Sequence, residues 1–128
     1  MNQFQNLIHD CLIDTRHVEH AGVLVAKTAS IAAATTRFNM SPQHAQMFAD
    51  AFKHLMSTRE HGFYFLERLY TCVRADKNSI YSKCEGHGLL LVKTTLYIIV
   101  ATYNDNMHPS VCVEAVEKLA QYLRAKGK

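Results

Sequence analysis

The chain has no tryptophan and few turn-forming residues, with two prolines and five glycines among its 128 residues. Its longest unbroken apolar run, Leu96 to Ala101, is too short to cross a bilayer as a helix. No internal repeat, linker or low-complexity segment interrupts the sequence. At this length, and with 48% hydrophobic residues, we expect one folded domain that spans residues 1–128.

Motifs of the common enzyme classes are also missing. The sequence contains no G-x-S-x-G, no phosphate-binding loop and no G-x-G-x-x-G. Its net charge of +3 comes without a run of lysine or arginine, so a nucleic-acid partner is not expected. The first residues, Met1 to Gln5, lack the apolar stretch of a secretory signal. We therefore expect a cytoplasmic, non-catalytic protein that uses no cofactor.

Four cysteines lie far apart with no paired spacing, and we predict reduced thiols that serve as small core residues: Cys11, Cys72, Cys84 and Cys112. The segment 17–20, His-Val-Glu-His, suggests a metal site but lacks a third ligand at a recognisable spacing, so no metal is expected. A thiol- or metal-dependent enzyme stays as a competing hypothesis. It requires cysteine and histidine side chains that converge within bonding distance.

Apolar residues at helical spacing predict three helices. The first covers residues 2–14, with an apolar stripe formed by Phe4, Leu7, Ile8, Cys11 and Leu12. The second covers residues 42–55, because the Ser41 hydroxyl can cap free N–H groups and Pro42 suits the first helical position. The third begins at Pro109 and carries acidic residues early and basic residues late, as the helix dipole favours.

Short apolar segments between these helices predict β-strands. We expect strands over residues 21–27, 30–35, 62–66, 69–75, 79–84, 88–94 and 96–103. Turn-forming residues at 76–78 and 85–88 separate consecutive strands. Sequential strands joined by tight turns pair antiparallel, and each face of the resulting sheet must be covered. The order of elements therefore predicts an α+β fold with a central antiparallel sheet of about six to seven strands.

Several segments resemble the profilin family. Residues 73–81, VRADKNSIY, are similar to the strand–turn–strand pattern LRADxxSIYG of profilins. Residues 88–94, GLLLVKT, resemble the strand GVVVVKT, and residues 119–123, LAQYL, resemble LADYL in the C-terminal helix of the family. Residues 4–7 align with the WQxY start of profilins, and residues 41–42 with the start of an internal helix.

The divergent, testis-associated fourth class of animal profilins is more similar still. Residues 73–83, 96–103, 107–115 and 122–127 share its patterns, so the resemblance covers nearly the whole chain in order. It implies the profilin fold, in which the terminal helices cover one face of the sheet and one or more shorter helices cover the other. It also implies a monomer with three ligands to consider, namely actin monomers, proline-rich peptides and phosphoinositides.

In profilins, proline-rich peptides pack on an aromatic platform between the terminal helices. The resemblance places Phe4 and Leu7 at positions that the family fills with tryptophan and tyrosine. Ala32 replaces a strand tryptophan, Lys128 replaces a terminal aromatic residue, and only Tyr122 keeps its type. Losing several aromatic anchors weakens binding by orders of magnitude. We therefore expect proline-rich peptide binding to be lost, with Phe4 and Leu7 serving helix packing.

The actin face of profilins uses the later strands and the outer side of the last helix. By resemblance, Arg74, Lys93 and His108 match positions on that face. Glu114, however, replaces a usual lysine, and Lys118 occupies a position that is often Glu or Gln. Charge reversal at a complementary interface creates repulsion, so we expect weak or absent actin binding. The alternative is a conventional profilin that binds actin monomers and regulates polymerisation, with Glu114 turned away from one exposed basic patch.

Basic residues crowd the end of the chain after the last acidic residue, Glu117: Lys118, Arg124, Lys126 and Lys128. Each contributes about 1 kcal/mol near an anionic membrane. Arg16 joins them if the terminal helices pack together. Helix-dipole complementation and solubility explain the same charges about equally well. Because the fourth profilin class is thought to favour lipids, we expect a cytoskeleton-associated adaptor that binds acidic phospholipids and phosphoinositides. The resemblance also implies that this adaptor acts in spermatids.

Overall fold

The computed structural model describes residues 3–128, which form four α-helices and seven β-strands. The helices are α1 (Gln3–Cys11), α2 (Pro42–Ala51), α3 (Leu55–His61) and α4 (Pro109–Ala125). The strands are β1 (His20–Val25), β2 (Ile31–Ala34), β3 (Phe63–Phe65), β4 (Arg68–Ala75), β5 (Ser79–Cys84), β6 (His87–Lys93) and β7 (Tyr97–Asn104). Among residues 3–128, no helix combines the length and the hydropathy that crossing a membrane requires.

All seven strands join one antiparallel sheet in the order β2-β1-β7-β6-β5-β4-β3. The run from β3 to β7 is a meander of neighbouring strands, and β1 then pairs with β7 through six residue pairs. The sheet of six to seven strands and the α+β architecture predicted from the sequence are thus confirmed.

Side chains along the central strands alternate strictly between the two faces of the sheet. This alternation produces two hydrophobic cores, one on each face. On β6, Leu89 and Leu91 join the core beneath α2 and α3. Leu90 and Val92, which point the opposite way, join the core beneath α1 and α4. The period of two along a strand therefore distributes one apolar run between two layers of helices. The predicted placement of the terminal helices on one face is confirmed.

The first helix is shorter than the sequence predicts. The helix ends at Cys11, and residues 13–15 form a separate 3-10 turn closed by Arg16 in the left-handed region, at φ 68°. The Thr15 hydroxyl donates to the Leu12 carbonyl at 2.6 Å, which supports the tighter turn. The predicted start at residue 2 lies outside the described residues. The apolar spacing of a helix continues through this turn, and for that reason the sequence overestimates the length of the first helix.

The prediction of a single helix over residues 42–55 is wrong, because the chain forms two helices in this region. Ser41 caps α2 as expected, its side chain accepting from the His44 N–H at 3.2 Å. The helix stops near Phe52, and a new helix, α3, starts at Leu55. The buried Thr58 hydroxyl ties the two together by donating to the carbonyls of Ala51 and His54 at 3.2 and 3.0 Å.

Candidate functional site

Helix α4 separates the candidate residues onto two flanks. Its buried stripe contacts β6 and β7 and comprises Cys112, Val116, Leu119, Ala120 and Leu123. At 3.6 residues per turn, positions 118 and 122 project to one side of this stripe, and positions 117 and 124 project to the other. One flank consequently faces α1, and the other faces the turn between β4 and β5.

Between α1 and α4 lies a groove of about 400 Å³, the terminal-helix groove. Its lining residues are Cys11, Thr15, Val111, Glu114, Ala115, Lys118, Leu119 and Tyr122. Glu114 and Lys118 therefore lie together on the α1 side. Lys126 extends this flank, with Nζ 5.1 Å from the centre of the Tyr122 ring. Arg16 is exposed and directly follows Thr15 of the groove.

On the other flank, α4 and the β4–β5 turn enclose a polar basin of about 650 Å³, the sheet-side basin. Its lining residues are Arg74, Asp76, Lys77, Asn78, Ser79, Tyr81, Glu117 and Arg124. The Glu117 carboxylate accepts hydrogen bonds from the hydroxyls of Ser79, at 2.9 Å, and Tyr81. Burial and the adjacent Glu117 carboxylate raise the pKa of Tyr81 to about 12.

Arg74, predicted for an actin face, lies in this basin with its charge already satisfied. Its guanidinium pairs with the Asp76 carboxylate at 2.9 Å and lies 5.4 Å from the centre of the Tyr81 ring. The hydrogen bond that Arg74 donates to Asp76 raises the pKa of Arg74, and that carboxylate also accepts from the N–H groups of Asn78 and Ser79. This local network fixes the turn between β4 and β5.

Two further basic residues are engaged within the fold. Half-buried Arg124 donates from Nη2 to the Lys93 carbonyl at 2.7 Å, so its guanidinium lies apart from Lys118 and Lys126. Lys93 pairs in the sheet with Ile98 and places Nζ 6.0 Å from the centre of the Phe52 ring, on the α2 side. The structure thus does not bring the Lys93 ammonium to the basin that contains Arg74.

His108 caps the start of α4 through its backbone rather than its side chain. Its N–H donates to His17 Nδ1 at 2.9 Å, and the two imidazole rings lie 4.9 Å apart. His20, the other histidine of the His-x-x-His segment, stacks instead on Phe38, at 5.5 Å. His17 and His20 therefore make different contacts. Among residues 3–128, the ligating side chains that do converge are exposed ones: His9, Asp10 and Asp14.

The residues aligned with the proline-rich peptide site do not form one exposed platform. Phe4 is only 8% exposed and packs 4.6 Å from the ring of Tyr97, a contact that the sequence did not suggest. Leu7 and Ala32 are half-buried against the same core. Tyr122 lies instead in the terminal-helix groove.

Lys128, the fifth residue aligned with that site, is held through its backbone. Its N–H donates to the Leu123 carbonyl at 2.9 Å, and its carbonyl accepts from the Thr94 hydroxyl at 2.9 Å. These bonds connect the end of α4 to the loop between β6 and β7.

The four cysteines are free thiols in different environments. Cys112 is buried on the inner face of α4, and burial raises the pKa of its thiol to about 12. Cys72 and Cys84 are half-buried. The prediction that all four are core residues is wrong for Cys11, which is exposed beside the terminal-helix groove although the helical stripe includes it.

Comparison with known proteins agrees with this architecture. Residues 2–128 match the family model described as Profilin. Profilin-4 of Bos taurus is 45% identical over 128 residues, covering 99% of each chain. The structure of Acanthamoeba castellanii profilin IA superposes with a TM-score of 0.91 at 32% identity, covering 98% of this chain and 100% of that one. Mouse profilin IIa, solved with a double repeat from the FH1 domain of mDia1, shares the fold at a TM-score of 0.77 and 15% identity, covering 99% and 100% of the two chains. This chain belongs to the profilin family.

Proposed function

We propose that this chain is a non-catalytic, cytoskeleton-associated adaptor that binds acidic phospholipids, including phosphoinositides, and organises the spermatid cytoskeleton. In this proposal actin-monomer binding is weak or absent and proline-rich peptide binding is lost. The observation that carries it is the exposed basic flank of α4. Lys118 and Lys126 lie there around Tyr122, and among residues 3–128 neither ammonium forms an ion pair.

Among the lipid-binding candidates, the proposal favours those whose charged groups lie free around the terminal-helix groove. Arg124 uses its guanidinium to bind the Lys93 carbonyl. Lys128 is held through its backbone against the loop between β6 and β7 rather than along the groove. Lys118, Lys126 and Arg16 are exposed around the terminal-helix groove. Cations next to an anionic membrane contribute about 1 kcal/mol each, and the half-exposed Tyr122 ring suits the membrane–water interface. These three basic residues form the proposed lipid contact.

The positions of the charged residues in the fold support weak actin binding. The conventional alternative requires Arg74, Lys93, His108 and Lys118 in one exposed patch with Glu114 turned aside. Lys93 instead lies against Phe52, and Lys118 shares its groove with Glu114. Arg74 forms an exposed ion pair with Asp76. No single basic patch therefore faces a partner from these positions.

Loss of proline-rich peptide binding is supported by burial as well as by composition. The sequence has no tryptophan, and Phe4 directs its ring into the core against Tyr97. An aromatic platform needs exposed rings on which proline rings can stack. Among the aligned positions, Tyr122 alone offers an exposed ring, and Lys126 partly covers it.

The test is binding to phosphatidylcholine vesicles that contain phosphatidylinositol 4,5-bisphosphate, measured by co-sedimentation. We expect the double variant Lys118→Glu/Lys126→Glu to lower the affinity at least about tenfold, because two attractions become repulsions. Lys53→Glu/Arg68→Glu changes the net charge equally at exposed positions on the side of the sheet opposite to α4 and serves as the matched control.

Two results would contradict this assignment. If the α4 variant binds as well as the wild type, the basic flank is not the lipid contact. If the control variant loses as much affinity as the α4 variant, binding follows net charge and no localised site exists. Circular dichroism confirms that both variants stay folded.

A further inference from the structure

The terminal-helix groove differs from the sheet-side basin in what lines its centre. Small or apolar side chains form that centre: Cys11 on the α1 side, and Val111, Ala115 and Leu119 on α4. The sheet-side basin is instead enclosed by charged and polar side chains. An apolar surface left in water is unfavourable compared with one that packs against another apolar group. The groove is therefore suited to a ligand that has an apolar part.

The charges around this groove are distributed unevenly. Lys118 and Lys126 lie beside Tyr122, towards the C-terminal end of α4, and among residues 3–128 neither ammonium belongs to an ion pair. The other half of the groove carries both signs, with Glu114 one helical turn before Lys118 and Arg16 directly after Thr15. The Lys118 end is therefore where an anionic group is attracted most strongly.

The size and the surroundings of the groove favour a lipid chain over a protein segment. At about 400 Å³ the groove falls within the range of small-ligand pockets, about 300–1,000 Å³. A stable protein partner instead buries about 800 Å² on each side. The residues of the proposed lipid contact, Lys118, Lys126 and Arg16, surround the same groove. A phospholipid held by these cations therefore brings its acyl chains to the apolar centre of the groove.

We propose that the terminal-helix groove binds an acyl chain of an acidic phospholipid whose head group is held by Lys118 and Lys126. This inference rests on the proposed lipid-binding function and adds that the protein recognises the apolar part of the lipid as well as its charge. The chain lies against Ala115 and Leu119 and passes beside Cys11. A groove of this kind distinguishes a lipid from its free head group, which attraction by surface charge alone does not do.

Isothermal titration calorimetry of the full chain compares two soluble probes with similar head groups. Dioctanoyl phosphatidylinositol 4,5-bisphosphate, kept below its critical micelle concentration, has two short acyl chains, whereas inositol 1,4,5-trisphosphate has none. We expect the wild type to bind the lipid at least about tenfold more tightly, because burial of a few methylene groups favours the complex. Attraction by surface charge alone predicts nearly equal affinities.

Ala115→Trp tests whether the groove is the source of this difference. Ala115 lines the groove and is half-buried, so an indole ring at this position fills the space without changing the charge. We expect this variant to bind inositol trisphosphate like the wild type and to lose the additional affinity for the lipid. Gln121→Trp adds the same ring at an exposed position of α4 outside the groove lining. It is the matched control and should bind both probes like the wild type.

The Cys11 thiol allows a second measurement on the unmodified chain. It is exposed and lines the groove, whereas Cys112 is buried. Burial and the Asp10 carboxylate raise the pKa of the Cys11 thiol, so alkylation by iodoacetamide is followed by mass spectrometry at mildly alkaline pH. We expect the lipid to slow alkylation of Cys11 several-fold and inositol trisphosphate to leave the rate nearly unchanged.

The outcomes separate this inference from the proposed function. If the wild type binds both probes equally and Lys118→Glu/Lys126→Glu weakens both, the lipid contact stands and the acyl-chain site fails. If that double variant leaves both affinities unchanged, the proposed function fails as well. The acyl-chain site also fails if folded Ala115→Trp keeps the full preference for the lipid. Protection of Cys11 by a polyproline peptide but not by the lipid would overturn it too, because the groove then binds a peptide.

Discussion

Glu117 joins α4 to the sheet through a carboxylate that accepts from two hydroxyl groups. Its partners, Ser79 and Tyr81, lie 38 and 36 residues earlier in the chain. Hydrogen bonds to a charged acceptor are stronger than neutral ones, and Tyr81 is removed from solvent enough for burial to raise its pKa. This contact fixes the flank of α4 that faces the sheet-side basin.

Removing the Tyr81 hydroxyl should reveal what this contact contributes. We expect Tyr81→Phe to lower the free energy of unfolding by about 1–3 kcal/mol, because Glu117 loses one of its two donors. The measurement is urea unfolding at neutral pH. Tyr64→Phe, which removes the hydroxyl of an exposed tyrosine, should be nearly neutral. Equal stability of the two variants would show that the hydroxyl contributes little.

The same variant should change how stability depends on alkaline pH. With its pKa raised from 10 to about 12, Tyr81 keeps its proton in the folded state while the unfolded chain loses it. Its contribution is therefore complete below pH 10 and is lost as the pH rises towards 12. Burial also raises the pKa values of Tyr70 and Tyr103, so Tyr81→Phe should reduce the alkaline loss of stability without abolishing it.

At the scale of elements, a buried hydroxyl links α2 to α3. Thr58, at 6% exposure, donates to carbonyls at the end of α2 and at the start of its own helix. Thr58→Val keeps the shape and removes both bonds, so we expect unfolding to become easier by about 1–2 kcal/mol. Thr36→Val, at an exposed turn position, is the control. Unchanged urea unfolding of Thr58→Val would mean that packing alone holds the two helices together.

The elements also show what periodicity can and cannot predict. The apolar alternation of β6 and β7 is a local property, so their strands and the two-faced sheet follow from the sequence. The hydrogen bond that links the end of α2 to α3 comes from Thr58, seven residues after Ala51, and a local pattern does not reveal it. The same holds for Cys11, which shares the helical period of the α1 stripe but lies at its exposed edge.

At the scale of the whole molecule, the candidate residues lie on two separate surfaces, one on each flank of α4. The sequence identifies Arg74, Glu114, Lys118 and Arg124 as functional candidates, but only the fold assigns them to separate surfaces. Glu114 and Lys118 face α1, whereas Arg74 and Arg124 face the sheet-side basin. Which residues act together depends on packing between distant parts of the chain, and sequence spacing does not encode it.

This division makes the affinity for monomeric actin a test of the whole arrangement. We expect the wild type to bind actin monomers weakly or not at all at low and moderate salt. Glu114→Lys removes the acidic charge that departs from the family pattern, and restored binding, measured by fluorescence titration, should be weakened by salt because exposed charges are screened. Tight wild-type binding that Glu114→Lys hardly changes would contradict the proposed function. It would mean that the Arg74 side of α4 binds actin without any contribution from the α1 side, where Glu114 lies.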